Sequence, residues 1–136
     1  MKENNMNMKA IFKKLLELKN NSYCPYSNFY VSAIAKANNK YYYGVNIENA
    51  AFPSGNCAER SAIATAISYG EKEIDTLYVL TKSYNFGMPC GNCRQFMSEF
   101  MQNDNTKIYV FNPDGDYREF TIAQILLNRF TKKEVI

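Results

Sequence analysis

Histidine and tryptophan are both absent from the 136 residues. Without an imidazole, Ser-His-Asp and Cys-His catalysis are excluded, as are histidine-ligated zinc and imidazole pH switches. Proton chemistry near neutral pH then falls to carboxylates, thiols, lysine, tyrosine or a metal-bound water. A strong charge of one sign is lacking too. Sixteen Lys and Arg against thirteen Asp and Glu leave +3, too little to indicate a nucleic-acid or membrane partner. No apolar run approaches the ~18 residues of a membrane span. Lys13 and Lys14 interrupt the opening segment before it reaches the length of a signal-peptide core, so the expectation is a cytoplasmic protein.

What is present describes one globular domain over residues 1–136. Hydrophobic residues make up 46% and aromatics 15%, and a chain of this length buries roughly two-thirds of its unfolded surface without needing a disulfide or metal to fold. The seventeen asparagines and eleven tyrosines are compatible with an AT-rich coding bias. Ile11, Leu15 and Leu18 recur at helical spacing among lysines, predicting an amphipathic helix over Met8 to Leu18. Two β-rich runs, Tyr30 to Ala37 and Tyr41 to Ile47, flank Asn38-Asn39-Lys40 and read as an antiparallel hairpin. Ala58 to Tyr69, rich in Ala and Ile and stopped by Gly70, reads as a buried helix.

A strand over Ile74 to Thr81, a helix from Gly91 to about Met101 and a strand over Lys107 to Phe111 predict a right-handed crossover between parallel strands. Asn112-Pro113-Asp114-Gly115 is turn chemistry, so Tyr117 to Thr121 returns antiparallel before a short helix over Ile122 to Leu127 and a charged tail, Thr131 to Ile136. The expectation is an α/β fold with a mixed sheet of about five strands.

Four cysteines at irregular spacing in a reducing compartment point to thiolate or metal chemistry rather than disulfides. Cys57-Ala58-Glu59-Arg60 and Pro89-Cys90-Gly91-Asn92-Cys93-Arg94 each open a predicted helix. Free backbone N–H groups and the helix dipole lower a thiol's pKa there and favour the thiolate that zinc requires. Cys90 and Cys93, three apart, share one helical face at a spacing common for paired zinc ligands, and Cys57 can supply a third. Three protein ligands on a tetrahedral ion leave one position for water, the mark of a catalytic site. Glu59, two residues from Cys57, can then reach that water without binding the metal. The competing reading is a four-cysteine structural site completed by Cys24, although Tyr23-Cys24-Pro25-Tyr26 has neither a helix start nor a second nearby cysteine.

Tyr26-Ser27-Asn28-Phe29, Gly44-Val45-Asn46-Ile47-Glu48-Asn49-Ala50, Cys57-Ala58-Glu59-Arg60 and Pro89-Cys90-Gly91-Asn92-Cys93-Arg94-Gln95 closely resemble, in order, the motifs of the small, homotetrameric, zinc-dependent cytidine deaminases. The resemblance implies a three-layer α/β/α sandwich. It also implies one Zn²⁺ per chain held by Cys57, Cys90 and Cys93, and Glu59 as the proton shuttle from the zinc-activated water to the pyrimidine. Arg60 is implied to hydrogen-bond ligand sulfurs, drawing negative charge from an inner shell of net −1, and Arg94 is a second, weaker candidate for that role. Asn46 and Glu48, i and i+2 near a strand end, emerge on one face. The resemblance makes them the ribose-binding pair, with Phe29 at the pyrimidine, Ala58 offering backbone groups to the base, and Phe130 completing a neighbouring subunit's pocket.

The expected reaction is conversion of cytidine and deoxycytidine to uridine and deoxyuridine plus ammonia, in pyrimidine salvage. The alternatives are deamination of another cytosine-bearing compound, such as a nucleoside antibiotic or a nucleic-acid base, and a non-catalytic zinc-binding module. The expected partners are a small-molecule nucleoside and three further copies of the chain, with no nucleic acid and no membrane. Three positions depart from the family's common residues. Ser32 replaces Gly and is expected to crowd its strand, Phe52 replaces Tyr and loses a hydroxyl, and Leu127 replaces Pro and is expected to extend the last helix.

Overall fold

In the computed structural model, which describes residues 6–135, the chain runs through α1 (Met8–Lys19), β1 (Val31–Ala37), β2 (Lys40–Val45), α2 (Ala58–Ser68), β3 (Thr76–Thr81), α3 (Gly91–Ser98), β4 (Lys107–Phe111), β5 (Tyr117–Thr121) and α4 (Ile122–Ile125). The five strands form one sheet in the order β2-β1-β3-β4-β5. All pairs are antiparallel except β3 with β4, which are parallel and joined through α3, as the sequence predicted. No helix of the described residues is long and apolar enough to cross a membrane.

Strand alternation sorts the apolar residues between two layers of helix. On one face Ile34, Tyr78, Leu80 and Phe111 pack with Ile11 and Leu15 of α1. On the other, Ala33, Ala35, Leu77, Val79, Ile108 and Val110 pack with α2, α3 and α4. This is the expected three-layer arrangement. Ser32 does not crowd its strand; its buried hydroxyl donates to Leu15 O at 2.9 Å and ties α1 to β1.

Small residues bring α2 close to the sheet. Ala58, Ala62 and Ala66 are fully buried against Ala33 and Ala35, and Gly44 of β2 lies under the same helix. A Cβ on Gly44 would sit 2.3 Å from Ala62 N and 2.7 Å from Ala58 O, so glycine there is a packing requirement. The far end of α2 is pinned by Glu71, whose carboxylate accepts from Tyr42 Oη at 2.6 Å and Asn38 Nδ2 at 2.7 Å. The β1–β2 turn carries positive φ at Asn38 (51°) and Asn39 (61°), the left-handed conformation that asparagine tolerates and a two-residue hairpin needs.

Two predicted helices are shorter than expected. The apolar spacing of Phe96, Met97, Phe100 and Met101 continues past Ser98, but Phe100 O accepts from Ile74 N at 2.8 Å and Met101 O from Arg129 Nη1 at 2.8 Å. Phe100 N and Met101 N turn back to Met97 O and Ser98 O, three residues earlier, and Gln102 N goes to Glu73 Oε2 at 2.7 Å. The α-helical ladder therefore stops at Ser98, and the carbonyls beyond it are free for these distant donors. Similarly, α4 stops at Ile125: Leu126 is extended (φ −144°, ψ 85°), and Arg94 Nη1 takes the Ile125 carbonyl at 2.8 Å. Leu127 is therefore outside the helix and 76% exposed, contrary to the expected extension.

Candidate active site

The sheet register explains where the site forms. Val31 pairs with Thr81 and Ser32 with Val45, so the end of β2, the start of β1 and the end of β3 meet at one edge. The first turns of α2 and α3 reach that same edge. A cavity of about 710 Å³ opens there, with Cys57, Glu59, Cys90 and Cys93 on one side and Phe29 and Glu48 on the other.

Cys57 is the N-cap of α2 and Cys90 the N-cap of α3. The Cys90 sulfur takes the place of the usual oxygen cap, accepting from Cys93 N at 3.4 Å. The three Sγ atoms of Cys57, Cys90 and Cys93 lie within 4.8 Å of one another and are the group of metal-ligating side chains found among the described residues. A zinc ion with Zn–S near 2.3 Å holds tetrahedral sulfurs roughly 3.8 Å apart, a spacing compatible with this set. A hydrogen bond from the Cys93 thiol lowers Cys57 to about 7, while the same bond and burial push Cys93 up. Cys24 is absent from the group; its sulfur lies 3.5 Å from Ser22 Oγ.

Arg60 lines the same cavity. Its guanidinium lies 4.7 Å from the Phe96 ring centroid, and its Nε is buried without a hydrogen-bond partner. An orphaned donor in a wall that carries three thiols fits an anionic ligand set, because thiolates are the acceptors it lacks. Phe96 was not singled out from the sequence; its stacking on Arg60 crosses between two helices and leaves no local signature.

Arg94 does something different. Its Nε donates to Pro89 O at 2.7 Å and its Nη1 to Ile125 O, so it braces the backbone beside Cys90 rather than reaching a sulfur. Glu59, in the first turn of α2, is only 6% exposed, and burial raises its carboxyl above the usual range. A buried carboxyl in a cavity holds its proton more tightly than one in water and is placed to exchange it with a bound molecule. Ala58 is fully buried beside it and also lines the cavity.

The opposite wall is held by hydrogen bonds. Asn46 lies one residue beyond β2; its Oδ1 accepts from Val31 N at 2.9 Å and from Ser22 Oγ, and its Nδ2 donates to Phe29 O at 2.8 Å. Glu48 Oε1 accepts from Tyr26 N at 3.0 Å and Ser27 N at 3.1 Å, while Oε2 accepts from Ser27 Oγ. These bonds, the Ser27 hydroxyl foremost, hold the Glu48 carboxyl below its ordinary range. Phe52 is 78% exposed at the rim, edge-on to Tyr26 with ring centroids 6.5 Å apart. Phe130 is also exposed and is not among the residues lining this cavity; Gln95 Nε2 holds its carbonyl at 2.9 Å.

Comparison with known proteins bears on this arrangement. The family model for the cytidine and deoxycytidylate deaminase zinc-binding region matches residues 6–110. The chain is 41% identical over 128 residues to a cytidine deaminase of Mycoplasma genitalium, covering 93% of this chain and 98% of that protein. To a cytidine deaminase of Halalkalibacterium halodurans it is 34% identical over 131 residues, covering 96% and 98%. The crystal structure of cytidine deaminase from Burkholderia pseudomallei superposes with a TM-score of 0.86 at 31% identity, covering 92% of this chain and 100% of that one. That from Mycobacterium leprae gives 0.75 at 33%, covering 91% and 100%. The matched span contains all three clustered cysteines, Glu59 and Arg60, and the same five-stranded architecture recurs in both structures. The chain belongs to the cytidine and deoxycytidylate deaminase family of zinc-binding proteins.

Proposed function

We propose that this protein hydrolytically deaminates cytidine and deoxycytidine to uridine and deoxyuridine, releasing ammonia, and that it serves pyrimidine salvage in the cytoplasm as a single-domain subunit. The observation that carries the reading is Glu59: a buried carboxyl facing the cavity that also receives three cysteine sulfurs. Cys57, Cys90 and Cys93 hold the zinc. When bound, the ion supplies Lewis acidity that ionises water near neutral pH.

Glu59 takes one proton from the attacking water and delivers it to the pyrimidine ring nitrogen, then carries the second, from the newly added hydroxyl, to the departing amine. Its burial excludes bulk water from that exchange and keeps the carboxyl basic enough to accept a proton. Arg60, stacked on Phe96, offsets the negative charge of three thiolates. Phe29 packs against the base and Ala58 presents backbone groups to it. Asn46 and Glu48 receive the sugar hydroxyls, and a site built to hydrogen-bond a hydroxyl rejects analogues that lack it.

The proposal extends to a homotetramer with shared sites. Phe130 supports it, being an exposed aromatic that does not line its own subunit's cavity, as do the exposed Phe52 and Tyr26 that line it. The deciding experiment follows the fall in ultraviolet absorbance when zinc-loaded protein meets cytidine, deoxycytidine, cytosine or CMP. Turnover of the two nucleosides with none of cytosine is expected. Binding of zinc without turnover of any of the four would overturn the reading in favour of a non-catalytic module.

A further inference from the structure

Glu48 is half-buried, and a carboxylate with access to water samples many orientations unless it is held. Its terminal torsion is broad and intrinsically unselective. Something must hold it if it is to meet a sugar hydroxyl at a fixed place. The loop bearing Tyr26, Ser27, Asn28 and Phe29 does so, and within that loop one hydroxyl occupies a junction. Ser27 Oγ donates its single hydrogen to Glu48 Oε2 and accepts from Phe29 N at 3.0 Å. Phe29 O in turn accepts from Asn46 Nδ2. The peptide groups on either side of the Phe29 ring are thus fixed at one end by Ser27 and at the other by Asn46.

We infer that Ser27 is a positioning residue for nucleoside recognition: its hydroxyl sets the Glu48 carboxylate and the Phe29 wall in one register before substrate arrives. The inference rests on the reading of Glu48 as a sugar-binding residue. Its chemistry is that of a relay. A hydroxyl has one hydrogen and two lone pairs, and here the hydrogen is committed to the carboxylate and a lone pair to the Phe29 amide. Deleting it leaves Oε2 short of its donor and frees the Phe29 N–H, so both sides of the recognition wall lose order together. Binding must then re-impose that order, and the cost falls on substrate affinity.

The test is steady-state deamination of cytidine by the zinc-loaded enzyme and its Ser27→Ala, Ser27→Thr, Glu48→Ala and Ser27→Ala/Glu48→Ala variants, with zinc content, melting temperature and uridine affinity measured for each. Ser27→Ala is expected to raise KM about 10-fold and weaken uridine binding in parallel, with kcat changed by less than about 2-fold. Ser27→Thr, which keeps the hydroxyl, recovers most of that loss. In the Glu48→Ala background the serine change adds less than about 3-fold, because the two residues act as one unit.

A Ser27→Ala enzyme with unaltered KM beside a Glu48→Ala enzyme with raised KM would leave the sugar reading standing and overturn this inference. Full additivity in the double variant would overturn it as well. An unaltered KM in Glu48→Ala would remove the sugar reading itself, and this inference with it. Should Ser27→Ala fail to fold, Ser27→Cys, nearly the same size but a poor donor, is judged by the same criteria.

Discussion

The cavity has two walls that are held by different forces. Cys57, Glu59, Cys90 and Cys93 stand on the first turns of α2 and α3, whose bodies are anchored in the core through Ala62, Ile63, Ala66 and Met97. Phe29, Asn46 and Glu48 stand on irregular segments and are held by side-chain and backbone hydrogen bonds, Phe29 being 39% exposed and Glu48 half-buried. Packing fixes the wall to which the proposed function assigns bond making and breaking, and hydrogen bonding fixes the wall to which it assigns substrate recognition. Damage to the first should therefore strike kcat, zinc retention and folding, while damage to the second should strike KM.

The largest effect expected on the packed wall is that of Glu59→Ala. Its kcat should fall at least about 100-fold, the usual contribution of a general acid-base residue, while metal analysis still finds one zinc per chain. Near-normal turnover in this variant would remove Glu59 from the reaction and erase the functional contrast between the walls.

Next in size is Gly44→Ala, which touches neither wall directly. The added methyl meets the backbone of Ala58 and Ala62, so α2 must move off the sheet. Overpacking of this kind costs about 1–3 kcal/mol, and thermal unfolding should show a melting temperature lower by at least about 5 °C. Zinc should also be lost to a chelator more readily, since Cys57 rides on that helix. Gly91→Ala is the matched control: its Cβ meets nothing within 4 Å, and its melting temperature should stay near that of the parent. Equal behaviour of the two variants would show that close approach of α2 does not hold the packed wall.

The same contrast separates what the sequence made legible from what it hid. Cys57 with Glu59, and Cys90 with Cys93, lie within three residues of each other at helix starts, so spacing alone carried their chemistry. The hairpin, the crossover and the parallel pair were legible for a similar reason, each being punctuated by its own turn residues. The support of the other wall was not legible. Ser27 bonds a carboxylate 21 residues away, and Arg94 spends itself on a carbonyl 31 residues away, although its place next to Cys93 in the sequence suggested a partner of the sulfurs. Asn46 and Glu48 were found by strand alternation together with resemblance, but the hydroxyl between Glu48 and Phe29 lay in a motif already quoted and carried no periodic signal. Helix ends failed in the same manner, because Arg129 and Ile74 claim carbonyls that local spacing had assigned to α3.

Away from the cavity, the Tyr42–Glu71–Asn38 cluster gives the packed half a pH signature. Hydrogen bonds from Tyr42 and Asn38 hold Glu71 below the usual carboxylate range. A carboxyl lowered in the folded state adds stability above its unfolded value, near 4.3, and that stability is lost as pH falls through the folded value. Tyr42, raised to about 12 by burial and then by its bond to Glu71, contributes fully below its unfolded value near 10, and that contribution is lost as pH rises through about 12. Tyr42→Phe should therefore melt roughly 3–6 °C below the parent across the neutral range. The gap should narrow in acid and again in strong alkali. A deficit independent of pH would mean that lost packing, not the charged hydrogen bond, is responsible.

The smallest effect is expected from Cys24→Ser, and it tests whether the two walls are chemically separate. Cys24 lies on the segment leading into the hydrogen-bonded wall: its carbonyl accepts from Asn28 N at 2.9 Å and its sulfur lies 3.5 Å from Ser22 Oγ. The neighbouring Tyr23 pairs with Ile47, which fixes the segment by main-chain bonds that a side-chain change leaves intact. Serine is slightly smaller and its hydroxyl can donate to Ser22 Oγ in place of the thiol, so the loop keeps its form. The three-sulfur cluster does not include Cys24, and an open zinc site has no use for a fourth thiolate. Metal analysis should return one zinc per chain, and melting should stay within about 2 °C of the parent, as for an ordinary peripheral substitution. Turnover should change less than about 2-fold. Loss of zinc together with activity would place Cys24 among the ligands, joining the two walls through the metal and reviving the closed four-cysteine site.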